Sequence, residues 1–261
     1  MAFKYAEPRV VSGKSECFFY HRTELPSFGV VGGDWDLRDC VPEYLGNYDF
    51  RGKRALDIGT ASGFLTFEME KRGAEVVSFD LDDGANWDIV PHYLVREELP
   101  NIRRAQSYTL ERLKAAYWFA HQDFDSKARC YYGNIYKLPK ALGEFDVVFY
   151  GMIIGHLRDV FGALYSGSRL CRETMIITSI YADTDKATAV FMPSPTNTAN
   201  TAIKSWWELS VGVMRKMLGV LGFEVVDLVR SSPLCTSPGF EGPHACTSIV
   251  ARRIAKKEAS V

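Results

Sequence analysis

The chain has 261 residues, 47% of them hydrophobic and 24% charged, with a formal net charge of −1. That balance is the one of an ordinary soluble globular protein, and no apolar run approaches the roughly 20 residues needed to cross a bilayer. The near-neutral charge supplies no global field to draw in nucleic acid, and neither a nucleic-acid nor a membrane partner is expected.

The first 50 residues are rich in aromatics, Gly and Pro and predict an N-terminal cap or lid over residues 1–50, with the main domain over 51–255. Met1 to Val11 carries Lys4, Glu7 and Arg9 and lacks the apolar core of a signal peptide. The six cysteines form no C-x-x-C pair and no zinc spacing, which points to a reducing, cytoplasmic setting. A short helix is predicted from Leu37 to Leu45, stopped by Gly46-Asn47.

From Arg54 the pattern becomes alternating. Arg54 to Ile58 reads as a strand, Phe64 to Lys71 as a helix closed by Gly73, and Glu75 to Phe79 as a second strand ending in Asp80. This is a βαβ unit, which demands a parallel, buried sheet. The segment from Asp82 to Leu99 reads as irregular. Ser107 to His121 predicts a helix with Leu110, Leu113, Tyr117 and Ala120 on one face. Ala128 to Tyr132, Phe145 to Tyr150 and Met175 to Ser179 read as strands, with a helix over Val160 to Leu170. Ala182 to Ser205 is a long polar connection, of the length usually kept for function. A helix from Trp206 to Leu221 and strands at Phe223 to Leu228 and Ser248 to Arg252 complete the chain. The expected fold is α/β: a Rossmann-like, seven-stranded, mostly parallel, doubly wound sheet with an N-terminal cap and insertions.

The strongest chemical signal is Asp57-Ile-Gly59-Thr60-Ala61-Ser-Gly63, at the end of the first of these strands. Gly59 and Gly63 let the backbone approach a ligand, and the next helix aims its N-terminus at it. Asp80 stands at the tip of the next strand, where a carboxylate can accept from both hydroxyls of a ribose. A dinucleotide fingerprint wants G-x-G-x-x-G, but Ala61 and Phe64 occupy the second and third Gly positions. Asp57 would repel a pyrophosphate and welcome a cation. The pattern therefore favours S-adenosylmethionine (SAM), which carries an ammonium and a sulfonium and no phosphate. Asn134 and Ile135, after the third strand of the sheet, are read either as adenine contacts or as a turn with a buried Ile. No metal is expected: Asp82 and Asp83 have no third ligand patterned with them.

These residues resemble the class I SAM-dependent methyltransferases. Within them the chain is similar to a bacterial group related to the tRNA wobble-uridine carboxymethyltransferases, through Tyr20-His21-Arg-Thr-Glu-Leu25, Gly33-Asp-Trp35-Asp-Leu-Arg38, the glycine motif, Gly155-His156-Leu-Arg158-Asp159 and Ser205-Trp206-Trp207. The resemblance implies that Asp57, Gly59, Gly63, Asp80, Leu81, Asn134, Ile135 and Gly151 line a SAM pocket closed by Trp35 and Arg38. It also implies a departure. The wobble-uridine enzymes have Tyr before the His of this segment, to hold the extra carboxyl of carboxy-SAM, and here that position is Gly155. Ordinary SAM is expected, with methyl transfer to a small-molecule O, N, S or C nucleophile; the alternative is a tRNA wobble-uridine-modifying enzyme.

His156 is the first candidate base, against a backbone-bonded helix-start His, and His21 in the cap is the second. Trp206, Trp207, Asn197 and Asn200 are candidate substrate contacts, with one tryptophan expected to pack inward. Tyr150 is read as either a contact to the methionyl end or core.

Overall fold

The computed structural model describes residues 3–82, 87–89, 93–184, 186–194, 196 and 204–254. In chain order the elements are β1 (Thr23–Leu25), β2 (Gly29–Val31), β3 (Trp35–Asp36), α1 (Val41–Tyr44), β4 (Arg54–Ile58), α2 (Phe64–Lys71), β5 (Glu75–Leu81), α3 (Leu99–Asp123), β6 (Arg129–Gly133), β7 (Phe145–Gly151), α4 (Val160–Ser168), β8 (Cys171–Ser179), β9 (Ala189–Phe191), β10 (Trp207–Leu209), α5 (Val211–Val220), β11 (Phe223–Ser231), β12 (Leu234–Cys235), β13 (Gly242–Pro243) and β14 (Cys246–Arg253).

Seven strands form one sheet in the order β11-β14-β8-β7-β4-β5-β6. The strands from β8 to β6 are parallel to their neighbours, and β14 runs antiparallel to both β8 and β11. Strand alternation gives each face its own core. Leu56, Ile58, Val148, Tyr150, Met175 and Ile177 pack beneath α4 and α5 with Leu164, Met214 and Leu218. Ala55, Val147, Phe149 and Ile176 face the other way, against Tyr44, Phe64, Leu65 and Met69 of α1 and α2. The doubly wound, seven-stranded architecture expected from the sequence is the one observed.

Boundaries differ where apolar periodicity is not the deciding force. α3 begins at Leu99, eight residues before the expected start at Ser107, because Pro100 sits in its first turn and the residues that follow are mostly exposed and polar. The stripe itself is as expected, with Leu110, Leu113, Tyr117 and Ala120 all buried. The helix expected from Trp206 starts at Val211. Ser210 caps it by accepting from the Val213 N–H at 3.2 Å, and Trp207 lies in a strand paired with Phe191. The helix expected over Leu37 to Leu45 is a 3-10 turn, Arg38–Cys40, followed by one α-turn.

The N-terminal segment is tied into the domain at several points. Ala6 N–H donates to Cys130 O at 2.8 Å, Phe18 N–H to Arg112 O at 3.0 Å, and β3 pairs with β12 from the C-terminal region. Gly33 lies so close to the His21–Arg22 peptide that a Cβ there would sit 2.2 Å from His21 C, so only glycine admits this crossing. Cys17, Cys130, Cys171, Cys235 and Cys246 are buried free thiols, packing as small hydrophobes. Among the described residues no helix is long and apolar enough to cross a membrane.

Candidate active site

The glycine loop lies at the carboxyl edge of the sheet, between β4 and α2. Gly59 takes φ +83°, and a Cβ there would meet Ile153 Cγ2 at 2.7 Å, so both backbone and space demand glycine. Gly59 and Thr60 N–H groups both donate to Phe79 O, at 2.9 and 3.1 Å, and Gly63 N–H closes the bend onto Thr60 O at 2.8 Å. Ala61 adopts φ 51°, a left-handed conformation that glycine would reach at lower cost. Gly63 then caps α2 in the left-handed region without a side chain.

Two carboxylates flank this loop. Asp57 is 1% exposed, and its Oδ2 accepts from Thr66 Oγ1 at 2.6 Å. Thr66 in turn lies 2.9 Å from Thr60 Oγ1 and 2.8 Å from Ser78 Oγ, so a hydroxyl cluster holds the carboxylate under the loop. Burial pushes the Asp57 pKa up to about 6, with a smaller push from the charge of Asp80. Asp80 accepts the Ala61 N–H at 2.8 Å on Oδ2 and the Leu81 N–H at 2.7 Å on Oδ1. A carboxylate offers about four acceptor sites, so one remains on each oxygen, and Asp80 keeps partial access to solvent. Burial raises its pKa as well.

The raised pKa of Asp57 has a stability consequence. The native state holds this proton more tightly than the unfolded chain, whose Asp titrates near 3.8. Stability contributed by the protonated form is therefore lost as pH rises from about 4 to about 6, by an amount on the order of 3 kcal/mol. Asp57→Asn is expected to unfold with a flatter pH dependence over that window; identical slopes for both proteins in urea melts would refute the assignment.

The N-terminal segment folds onto the same loop through Ser62, whose Oγ accepts from Tyr20 N–H at 3.2 Å and His21 N–H at 3.5 Å. His21 is buried, its ring 5.6 Å from that of Phe64, and its Nδ1 has no hydrogen-bond partner among the described residues. Burial depresses its pKa to about 3, so the imidazole is neutral. Trp35 bonds to the same segment through its backbone, but its ring packs 6.0 Å from Phe240 and 5.4 Å from His244. Arg38 forms a two-point ion pair with Asp36, at 2.9 and 2.7 Å, in a groove on the outer flank of α2 with Glu24, Glu68 and Arg72. Arg38 is thus engaged with Asp36 and the Trp35 ring with Phe240 and His244; among the described residues no hydrogen bond, ion pair or ring contact joins either side chain to residues 59–63, where the resemblance implies that they close the pocket.

The remaining cofactor candidates divide. Leu81 and Gly151 stand at the carboxyl ends of β5 and β7. Asn134 is exposed, and its Oδ1 accepts from Tyr136 N–H at 2.8 Å and caps a 3-10 turn, while Ile135 is buried in the core. Tyr150 is fully buried, and its hydroxyl donates to Ala163 O at 3.0 Å, so its side chain belongs to the packing under α4.

His156 lies beyond β7. Its Nδ1 is 3.1 Å from Lys204 O and 3.4 Å from Ser205 Oγ. If Nδ1–H serves that carbonyl, Nε2 carries the basic lone pair. The residue is exposed to solvent, and partial desolvation of its ring holds its pKa below the usual value. His156 and His21 have separate neighbours: Lys204 and Ser205 for the first, Tyr20, Ser62 and Phe64 for the second.

Sequence patterns did not reveal the hub beside His156. Asp88, with a side chain 8% exposed, accepts from Arg158 Nε at 2.8 Å, from Arg158 N–H at 2.9 Å and from the Tyr136 hydroxyl. Its own carbonyl accepts from Trp206 Nε1 at 2.9 Å, and Trp207 Nε1 donates to Arg158 O at 3.0 Å. The segments after β5, β6 and β7 and the β9–β10 hairpin are thus joined at one edge. The Arg158-Asp159 part of the quoted motif was the available signal; Asp88 had none, since its partners are distant in sequence. Asn197 and Asn200 lie outside the described residues.

No known family profile matches the chain. Among curated proteins it is similar to the ribosomal protein L11 methyltransferase of Helicobacter pylori, 28% identical over 157 residues, 59% of this chain and 38% of that protein. The corresponding Helicobacter acinonychis protein is 27% identical over the same shares. The chain thus spans about two fifths of the length of the curated relatives it matches. Among solved structures, it is similar to Burkholderia thailandensis 1,6-didemethyltoxoflavin-N1-methyltransferase, at a TM-score of 0.51 and 18% identity over 84% of this chain and 80% of the other. The N-terminal domain of EvdMO1 with bound S-adenosylhomocysteine (SAH) superposes at a TM-score of 0.53 and 16% identity, covering 93% of this chain and 94% of that one. With the strand order and the glycine loop, these likenesses establish that the chain has the class I SAM-dependent methyltransferase fold.

Proposed function

We propose that the chain is a methyltransferase that binds SAM at the glycine loop and methylates a small molecule at the adjoining edge of the sheet. One observation carries this reading: the loop is flanked by Asp57 and Asp80, and among the described residues no Lys or Arg side chain donates to residues 59–63. Such a bend disfavours a pyrophosphate and suits a cationic, phosphate-free nucleoside. The free acceptor capacity of Asp80 fits a ribose diol, and the buried charge of Asp57 fits the methionyl end. Bound SAM supplies a methyl group on a positively charged sulfur, open to in-line attack. The protein's share is alignment, which can contribute on the order of 7–11 kcal/mol, together with proton removal by His156. The N-terminal segment, clasped to Ser62, serves as the lid, with neutral His21 positioned beneath it.

Calorimetry with the full chain tests the reading. SAH is expected to bind at one site per chain, with no detectable binding of NAD or ATP. Binding of either pyrophosphate ligand in place of SAH would overturn it.

A second reading, a protein acceptor, is favoured by the names of the curated relatives. It requires transfer of label from SAM to ribosomal protein, with none to small molecules. The tRNA alternative is weakened by Gly155, which lacks the tyrosine side chain of the wobble-uridine enzymes; a Cβ there would lie 3.1 Å from Trp207 O, so a side chain would require that backbone to give by a few tenths of an ångström. Free thiols at all six cysteines suit a cytoplasmic site of action.

A further inference from the structure

Beside His156 lies a cation that cofactor binding does not explain. Lys204 is half-buried, and its backbone carbonyl lies 3.1 Å from His156 Nδ1, which places the residue beside that imidazole. Its ammonium has no acceptor among the described residues, and burial alone lowers its pKa, with no carboxylate opposing. A desolvated ammonium without a counter-ion is costly, and that cost is recovered when an anion arrives. Next to it stands an aromatic wall. Phe191 is 52% exposed, with its ring 5.9 Å from Trp206 and 5.4 Å from Trp207. Both indole N–H groups are already bonded to backbone carbonyls, of Asp88 and Arg158, so the rings are fixed and the wall offers faces and no donors.

We infer that the acceptor is an acidic hydroxyl, a phenol or enol, on a flat conjugated ring, held between the Phe191–tryptophan wall, Lys204 and His156. This rests on the methyltransferase reading. The hydroxyl proton passes to His156 Nε2, and Lys204 pairs with the oxygen anion left behind. That oxygen forms a new bond to the methyl carbon while the carbon–sulfur bond breaks, its electron pair returning to sulfur to give a neutral thioether. An amine acceptor would instead develop positive charge toward Lys204 and be repelled.

The test uses 7-hydroxycoumarin, whose excitation spectrum reports its ionisation, and 7-methoxycoumarin as the neutral match, with the full chain saturated with SAH. Bound 7-hydroxycoumarin is expected to ionise about one pH unit below the free dye, and to bind about tenfold more tightly than the methoxy compound. Lys204→Met should abolish the shift and Lys204→Arg should retain it. An unshifted dye on wild-type protein that binds SAH, or an undiminished shift in Lys204→Met, would overturn the assignment. Should Lys204→Met fail to bind SAH through misfolding, the two coumarins on wild-type protein decide, equal affinities being fatal. Wild-type protein that binds no SAH removes the methyltransferase reading and this inference with it.

Discussion

His156→Ala is expected to lower kcat by about 10²–10⁴-fold, the usual range for loss of a general base, while the Kd for SAH stays within a factor of about two. The size follows from what the residue is placed to do. The residue is exposed to solvent, its Nδ1 is held at 3.1 Å by the Lys204 carbonyl, and the opposite nitrogen is therefore the basic one. Burial holds the imidazole pKa below its ordinary value, and the Lys204 charge acts the same way. The active form is the neutral ring, so activity should fall as pH drops through a midpoint lower than that of a free histidine, and stay level above it. His156→Ala should lose this acid limb, and added imidazole should restore part of the rate. The measurement needs labelled SAM and an acceptor found by screening phenols, amines and thiols. A purely structural His156, one that only anchors the β9–β10 hairpin, would instead lower kcat and SAH affinity together and leave the shape of the pH profile unchanged.

How much of this was legible in the sequence depends on the range of the interaction involved. The βαβ unit from Arg54 to Asp80 was fully readable, since strand alternation, the glycine bend and the Gly73 stop are local signals that the parallel sheet only reinforces. The start of α3 was not, because Pro100 and a polar first stretch set it without apolar periodicity. The tryptophan pair was misplaced on a helix for a related reason. Trp206 and Trp207 are held by Asp88 and Arg158, 118 and 49 residues away, and the strand that Trp207 begins exists only by pairing with Ala189–Phe191. The cap follows the same logic: its contact with Ser62 and the β3–β12 pairing join distant segments that no window of sequence contains. Asp57 and Asp80 were visible as charges near glycines. The hydroxyl cluster around the first, and the two backbone donors on the second, became visible only with the fold.

Asp80→Ala is expected to weaken SAH binding by on the order of a hundredfold or more. Two hydrogen bonds to an ionised acceptor contribute roughly 1.5–3 kcal/mol each, and 2.7 kcal/mol already equals about a hundredfold in Kd. The substitution acts twice. It removes the acceptor sites proposed for the ribose hydroxyls, and it strips the Ala61 and Leu81 N–H groups of their partners at 2.8 and 2.7 Å. Losing the first of those bonds releases Ala61 from the carboxylate that holds its left-handed turn, so the loop is no longer preorganised. Asp80→Asn separates the two effects. Its amide keeps one acceptor oxygen for one backbone N–H but presents donors to the other side, so it should preserve most of the melting temperature while still losing most of the affinity. Calorimetric titration with SAH, paired with thermal melts in the absence of ligand, reads both quantities. The ribose assignment fails if Asp80→Asn binds SAH as tightly as the wild type. If instead Asp80→Ala and Asp80→Asn lose affinity only in step with melting temperature, the carboxylate supports the loop and the nucleoside is held elsewhere.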